Sequence, residues 1–559
     1  MTNEIQPTND QQRTTNRQWI ILLLILLLAA FLRLFKLGQI SPPGLNQDEA
    51  AAAWNASCLL KTGKDQVGDR WPIFHSRALG SNNSTLYFYL LMPFQLVGGM
   101  NIYTTRLPAA IGGIFTVLLI YFVGKRLFDT PVALAAAALL AVDPWQIQQS
   151  RWGHDAAPCA LFGIAPLAML LWANMPLGDN KTDVPRPPLA AFGGAITGVV
   201  CYGYHAVRLF VPAFLLMTVL AAFSNWRCIL KTRKGILSVA AFGIAFAATF
   251  GPLAWQHIFH PEIMARPDHY QKMVFALPLP LALREIAVNY IRHFGPDFLF
   301  IYGDFNHIQS PPGIGQLQWY MLPLMLSGLI FLIPRFRYST SARVLLGCVL
   351  VYPLGDCFNQ AYPHALRSLP GLCGLILLAA VGTVSAFRWL WNRNHNLATA
   401  ITVTFILLTM VLNIRYFYRF YGEYNRRPEI YHLYHTDLVE ACQWLKPRLD
   451  EFDAVFCTNE QMNMPYLITL VVLGYQPDRW FNENREILKI EGQDDFYARY
   501  GKMYFMYDEL FKPPEEKYLA GRVLLIIRPG EIDLPDPNKQ IIRKISRPDG
   551  TVTLWLCKM

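Results

Sequence analysis

Charged residues are scarce in this chain: Asp, Glu, Lys and Arg make up 16% of 559 residues, against 53% hydrophobic. Soluble domains carry roughly 25% charged residues, so a string of ordinary soluble domains is excluded. Disorder is excluded too, because it needs a chain poor in hydrophobics. The ten cysteines include no CxxC pair, which removes both a zinc ribbon and a disulfide framework. No internal repeat or long low-complexity tract is present, and no coiled coil forms the main architecture. The formal net charge is +10. Its placement between apolar runs makes it a matter of membrane topology, with no nucleic acid as partner.

Long apolar runs are what the chain has in abundance. Trp19 to about Leu37 is apolar apart from Arg33 and Lys36, and no small-residue cleavage site follows it, so it reads as a retained span. Further runs at 107–124, 131–148, 157–174, 189–206, 209–224, 236–253, 320–334, 342–355, 367–386 and 397–415 bring the expected count to about eleven transmembrane helices. Basic residues mark every second junction: Arg13 and Arg17, Lys125–Arg126, Lys181 and Arg186, Arg227 to Lys234, Arg335 and Arg337, Arg388 and Arg393. Positive residues stay on the cytoplasmic side. The expectation is a multi-pass protein of the cytoplasmic (inner) membrane, embedded in the bilayer, with a cytoplasmic tail at 1–18. Its membrane body covers 19–415, with exterior loops at 38–106, 149–156, 254–319 and 355–366. Leu86–Gly99, fourteen residues interrupted by Pro93, is expected as an interfacial helix. Beyond Tyr416 the pattern changes. A helix at 434–449, buried strands at 453–457 and 522–527, and a hairpin around Pro548-Asp549-Gly550 predict an extracytoplasmic mixed α/β domain over 416–559.

Polar groups cluster in the exterior loops. Asp48 and Glu49 follow a Pro-Pro-Gly turn and open an alanine-rich helix. Acids at a helix N-terminus are favoured by its dipole, and a carboxylate there can also act as a general base toward a hydroxyl. Arg151, His154 and Asp155 share a short outward turn, where charge is costly unless paired or functional. Arg106, His364 and Arg367 stand at outer helix starts. Snorkelling explains any one such arginine; several converging beside acids suit a phosphate group. His257 and His260, followed by Glu262, are weak candidates for zinc, against the plain reading of surface histidines. Asn55-Ala-Ser and Asn83-Ser-Thr fit a glycosylation pattern but adjoin the candidate site.

Several segments resemble the GT-C glycosyltransferases of the protein O-mannosyltransferase and aminoarabinose transferase superfamily. They are PPGLNQDEAAAAWNA at 42–56, KTGKDQVGDRWP at 61–72, LYFYL at 86–90, RLPAAIGG at 106–113, DPWQIQQSRWGHDA at 143–156, YGYHAVRLFVP at 202–212 and PHALRSLPGL at 363–372. The resemblance covers most of the membrane body; the C-terminal domain has no counterpart in it. It implies a GT-C fold and inverting transfer from a polyprenyl-phosphate sugar donor to a hydroxyl acceptor (protein, lipid or glycan) on the outer side. No cofactor is expected to be required, a divalent metal being the less favoured alternative. It implies Asp48 as catalytic base, Glu49 as its neighbour orienting it or binding sugar, and Asp155 as the second acid. Arg151, His154, His364 and Arg367, with Arg106 and Asn83, are the expected contacts to donor phosphate or substrate. One departure stands out: relatives carry Lys-Pro-Pro before the LYxYL helix, where this chain has Asn83-Ser84-Thr85. Another cation must then serve the phosphate, or the donor binds differently. The competing readings are a lipid-linked-sugar flippase and a non-catalytic envelope-assembly subunit. Against the flippase, the acids lie in loops rather than at mid-span, and no matched pair of broken helices relates two halves.

Overall fold

The computed structural model describes residues 9–78, 81–179, 184–260, 277–358, 363–489, 495–506, 521–531 and 540–559. Its first helix, α1 (Asn9–Leu34), leaves Leu23, Leu24, Leu27 and Leu28 exposed along its length. An apolar surface of that extent suits lipid, not water. Among the described residues, five helical segments are long and apolar enough to cross a membrane: Asn16–Leu34, Ile102–Leu127, Arg233–Phe259, Ala365–Trp391 and His395–Arg426. A sixth forms if His205–Ala221 and Phe223–Ile229, bent by 80°, count as one span. The other expected runs are also helical but shorter: Thr130–Ala141, Cys159–Trp172, Pro187–Tyr202, Met321–Arg335 and Thr340–Gly355. The segment Ala365–Trp391 is mostly buried at the centre of the bundle, while His395–Arg426 is almost wholly exposed on its flank.

Two helices in the first loop matter for the site. The first, α2 (Gln47–Thr62), starts where the Asn46 side chain caps it and stops at Gly63, whose φ of 69° closes the last turn. Its run of alanines buries a small-residue face, so neighbours approach closely. The second, α3 (Leu86–Gly98), is the expected interrupted segment; Tyr87, Phe88, Leu91 and Gln95 face inward against α2 and α4 (Ile102–Leu127). Ahead of α3, a small antiparallel hairpin pairs β1 (Ser76–Ala78) with β2 (Ser81–Asn83).

The C-terminal region forms a seven-stranded sheet. Its strands are β3 (Ala454–Thr458), β4 (Arg485–Lys489), β5 (Asp495–Tyr500), β6 (Met503–Met506), β7 (Val523–Ile527), β8 (Ile541–Ser546) and β9 (Val552–Lys558), in the order β4-β5-β6-β3-β7-β9-β8. The central strands β6, β3 and β7 run parallel, and the outer pairings are antiparallel. Parallel strands are covered on both faces, which is why AVFCT and VLLII are buried at every position. The expected helix is Thr436–Leu445 with a 3₁₀ extension to Glu451, and the expected hairpin is β8–β9. All ten cysteines are free thiols.

This domain is seated on α2. Trp54 of α2 meets Trp480 edge-to-face at 5.4 Å, and Trp480 Nε1 donates to Gln66 O at 2.9 Å. Leu45, Ala50, Trp54 and Cys58 share one hydrophobic core with Leu438, Tyr466, Leu470 and Trp480. Trp480→Ala is expected to cost roughly 3–5 kcal/mol and to loosen the domain from α2. Thermal unfolding with protease sensitivity of the 416–453 segment checks this; an unchanged midpoint would refute the seating.

Candidate active site

Glu49 and Arg106 are both fully buried. Arg106 Nε donates to Glu49 Oε1 at 2.7 Å and Nη2 to Oε2 at 2.8 Å, a two-point pair. The carboxylate also accepts from Gly153 N at 2.8 Å and from Asn46 N at 3.2 Å. The guanidinium also donates to Pro42 O and Gly44 O. Every strong bond of this pair goes to protein, so Glu49 and Arg106, expected at the catalytic and phosphate sites, hold each other and the loop in this geometry. Arg151 is held in the same way. It is fully buried, caps the end of α1 through Leu32 O and Arg33 O, and donates to Ile40 O and Ser41 O. Burial pushes its guanidinium down to about 10, against the helping field of Tyr421. The three groups brace the loop.

Asp48 lies beside this brace, partly exposed in the first turn of α2, its backbone N held by Asn46 Oδ1 at 3.0 Å. The bond from Gly153 N to Glu49 draws the 149–155 turn onto the same spot. Gly153 is needed there: a Cβ would sit 2.5 Å from Thr105 O. His154 Nδ1 stands 3.4 Å from Asp155 Oδ1, with the His154 ring against Trp152. Gln149 Oε1, Trp152 Nε1, His154 Nε2 and Asp155 Oδ2 are buried with no hydrogen-bond partner among the described residues. Buried polar atoms are almost always satisfied. Four unsatisfied ones in a single turn mark a place for a polar ligand or water.

A second cluster forms around the 355–367 segment. Asp356, buried, accepts from His364 N at 2.7 Å, faces His293 Nε2 at 3.1 Å and pairs with Arg367 Nη1 at 3.5 Å. Burial pulls its carboxyl upward, but His293, Arg367 and His364 outweigh that and hold it below the ordinary value. Asp304 accepts from Ala365 N at 2.7 Å and lies 3.7 Å from His364 Nδ1. Arg367 also bonds Tyr204, and its Nε has no hydrogen-bond partner among the described residues. From Tyr204 the line runs one turn along α5 (His205–Ala221) to Arg208. There Nη2 donates to Ser84 Oγ at 2.9 Å and Nη1 lies 3.2 Å from His257 Nε2. Arg208 thus reaches the Asn83-Ser84-Thr85 stretch where relatives carry lysine; Asn83 itself donates to Ala78 O within the hairpin. His257 Nδ1 lies 2.9 Å from Leu253 O, so both ring nitrogens of this weak zinc candidate have protein partners here. No metal-holding cluster occurs among the described residues; His260 is exposed, and Glu262 lies outside them.

His293, Asp304 and Asp356 escaped the sequence reading because they are far apart in the chain and in no motif. Arg208 was within the YGYHAVRLFVP segment, but nothing in that string says it meets Ser84, more than a hundred residues upstream.

Residues 82–255 match the family model described as dolichyl-phosphate-mannose-protein mannosyltransferase. The undecaprenyl phosphate-alpha-4-amino-4-deoxy-L-arabinose arabinosyl transferase 2 of Pseudomonas fluorescens is 22% identical over 357 residues, 58% of this chain and 56% of that protein. The chain thus spans about half the length of this curated relative. Among solved structures, ArnT from Cupriavidus metallidurans bound to undecaprenyl phosphate aligns with 82% of this chain and 85% of its own, at 13% identity and TM-score 0.47. The oligosaccharyltransferase AglB from Archaeoglobus fulgidus, in complex with an inhibitory peptide and a dolichol-phosphate, aligns with 83% and 64%, at 13% identity and the same TM-score. Likeness at that level carries no argument about this chain. Residues 82–255 are thus similar to a glycosyltransferase family of membrane proteins, and the rest of the chain lies outside that match.

Two outcomes are expected. Glu49→Leu leaves Arg106 buried without its partner and should cost roughly 3–5 kcal/mol, part of it recovered in Glu49→Leu/Arg106→Leu; thermal unfolding of the three proteins checks this. A carboxyl whose folded pKa is lowered stabilises fully above its unfolded value and loses that contribution as pH falls through the folded one. Asp356→Asn should therefore flatten the decline of stability below about pH 4, read from unfolding midpoints across an acid titration.

Proposed function

We propose that the chain is an inverting glycosyltransferase that moves a sugar from a polyprenyl-phosphate donor to a hydroxyl acceptor on the outer side of the cytoplasmic membrane. The observation that carries this reading is the Glu49–Gly153 hydrogen bond. It ties the loop of Asp48 to the turn of Asp155, so two acids stand on one braced unit beside unsatisfied buried polar atoms. In the reading, Asp48 takes the proton of the acceptor hydroxyl as its oxygen attacks the anomeric carbon, and the lipid phosphate departs from the opposite face. A single base on the face opposite the leaving group inverts the centre, as in inverting sugar chemistry generally. Asp155 and His154 orient the sugar or the acceptor.

The leaving group is already stable as a phosphate, so the protein's main task is to hold its charge where water is scarce. Arg367 and Arg208, joined through Tyr204 and the first turn of α5, are the cations for that task, and Arg208 stands in for the lysine of relatives. His364, capping the short helix Ala365–Ser368, helps set Arg367. The eleven crossings, the outward face of the loops and the extracytoplasmic position of the C-terminal domain belong to this same reading, as does the interfacial placement of α3.

The test is transfer from a polyprenyl-phosphate sugar to an envelope extract, with release of polyprenyl phosphate as readout. Asp48→Asn should lower turnover by about 10²–10⁴-fold with donor binding kept, and Arg208→Ala or Arg367→Ala should raise the KM for donor. Full turnover in Asp48→Asn would remove it as base; lipid movement without any transfer in the native protein would favour the flippase.

A further inference from the structure

The C-terminal sheet reverses its strand order at β3, which has β6 on one side and β7 on the other, both parallel to it. In open sheets of this kind, ligands bind in the crevice beyond the carboxyl ends of the strands at such a reversal. A cavity of about 580 Å³ lies there, within the range of roughly 300–1,000 Å³ found for small-molecule sites. Glu460 follows β3, Arg528 and Glu531 follow β7, and Thr553 stands at the adjoining start of β9. The cavity is away from the Asp48 loop and none of its groups is used in the transfer chemistry above.

The walls are built, not incidental. Arg528 Nη1 donates to Asp437 Oδ2 at 2.7 Å and to Thr553 O at 3.1 Å, and its Nε to Glu460 O at 3.3 Å. Glu531 is clamped by the Thr458 hydroxyl at 2.6 Å and by Arg528 N at 2.7 Å. The lining carries Arg528 and Arg547 against Asp437, Glu460 and Glu531, so with His432 neutral it is negative by one charge. A phosphate or nucleotide would meet three carboxylates, whereas a ring with many hydroxyls finds donors and acceptors in alternation. Pro428, Tyr431 and Pro529 add an apolar side for the ring's C–H face.

We infer that this cavity is a saccharide-binding site of the C-terminal domain, for a short neutral or amino-substituted sugar chain. Its wall also leads to the other site. Pro428, Tyr431 and His432 belong to the helix Pro428–Leu433, and the residues directly after them hold the start of α2: Leu433 O accepts from Asn46 Nδ2 at 3.0 Å and Tyr434 O from Leu45 N at 2.7 Å. Gly44 faces that same carbonyl so closely that a Cβ would lie 2.2 Å from it. A sugar chain seated in the cavity is thus held one short helix away from the loop that carries Asp48. If the proposed transfer is correct, the acceptor glycan is the natural occupant; the binding itself does not depend on that.

The experiment is binding of chitobiose, mannobiose and maltose, with inorganic phosphate as the anionic probe, to the full-length protein in detergent by saturation-transfer NMR. At least one disaccharide should bind saturably. Arg547→Ala and Glu460→Gln, each checked for an unchanged unfolding midpoint, should weaken it about tenfold, the loss of a charge-assisted hydrogen bond. Saturable binding with phosphate excluded supports the site. No binding by any of the three sugars, binding unaltered in both variants, or phosphate competing for the cavity would overturn it. Because the readout is binding, a failure of transfer activity leaves this result separate.

Discussion

The pairing of Glu49 with Arg106 is the constraint on which the region around the candidate site depends. Two opposite charges with no exposure are tolerable only when each is fully hydrogen-bonded, and here the partners come from three separate pieces of chain. The Pro42 and Gly44 carbonyls and Asn46 N belong to the turn before α2, Arg106 to α4, and Gly153 N to the turn after the helix Pro144–Gln149. Satisfying one ion pair therefore assembles the first loop, the second loop and a long helix in one geometry. Arg151 repeats the device at the end of α1, with backbone carbonyls in place of a carboxylate.

What the brace leaves over is chemically informative. Asp48 is the neighbour of the locked acid and is partly exposed; His154 and Asp155 are the neighbours of the locked amide and keep unsatisfied atoms. Rigid support next to exposed or unsatisfied polar groups is the arrangement expected where a ligand is to be gripped without reorganisation. The second cluster around Asp356 follows the same pattern. Its carboxylate is committed to His293, His364 and Arg367, and Arg367 nonetheless keeps Nε for something else.

The C-terminal domain is part of this construction and not an appendage. Its helices bury Trp54 and the alanine face of α2, and the chain entering it pins Leu45 and Asn46. The sheet that carries the cavity and the loop that carries Asp48 thus share one hydrophobic core. Much of the domain was legible: β3 and β7 as unbroken apolar runs, and β8–β9 as alternating strands about a Pro-Asp-Gly turn. The strands Arg485–Lys489, Asp495–Tyr500 and Met503–Met506 were not, because each is short and owes its extended form to pairing with its neighbours.

Hydropathy period and length alone determined that apolar helices dominate residues 19–415, since burial of backbone polar groups in lipid allows little else. Motif order alone pointed to Asp48, Asp155 and Arg367. Tertiary structure decided which charged residues are structural and which remain available. Glu49, Arg106 and Arg151 look as functional as Asp48 in a linear reading, since type and neighbourhood in sequence say nothing about saturation. Only packing brings a carboxylate at 49 to a guanidinium at 106 and an amide at 153, and Arg208 to Ser84. The reason is physical: a charged side chain's role is set by what else occupies its hydrogen-bonding positions, and those partners are distant in the chain.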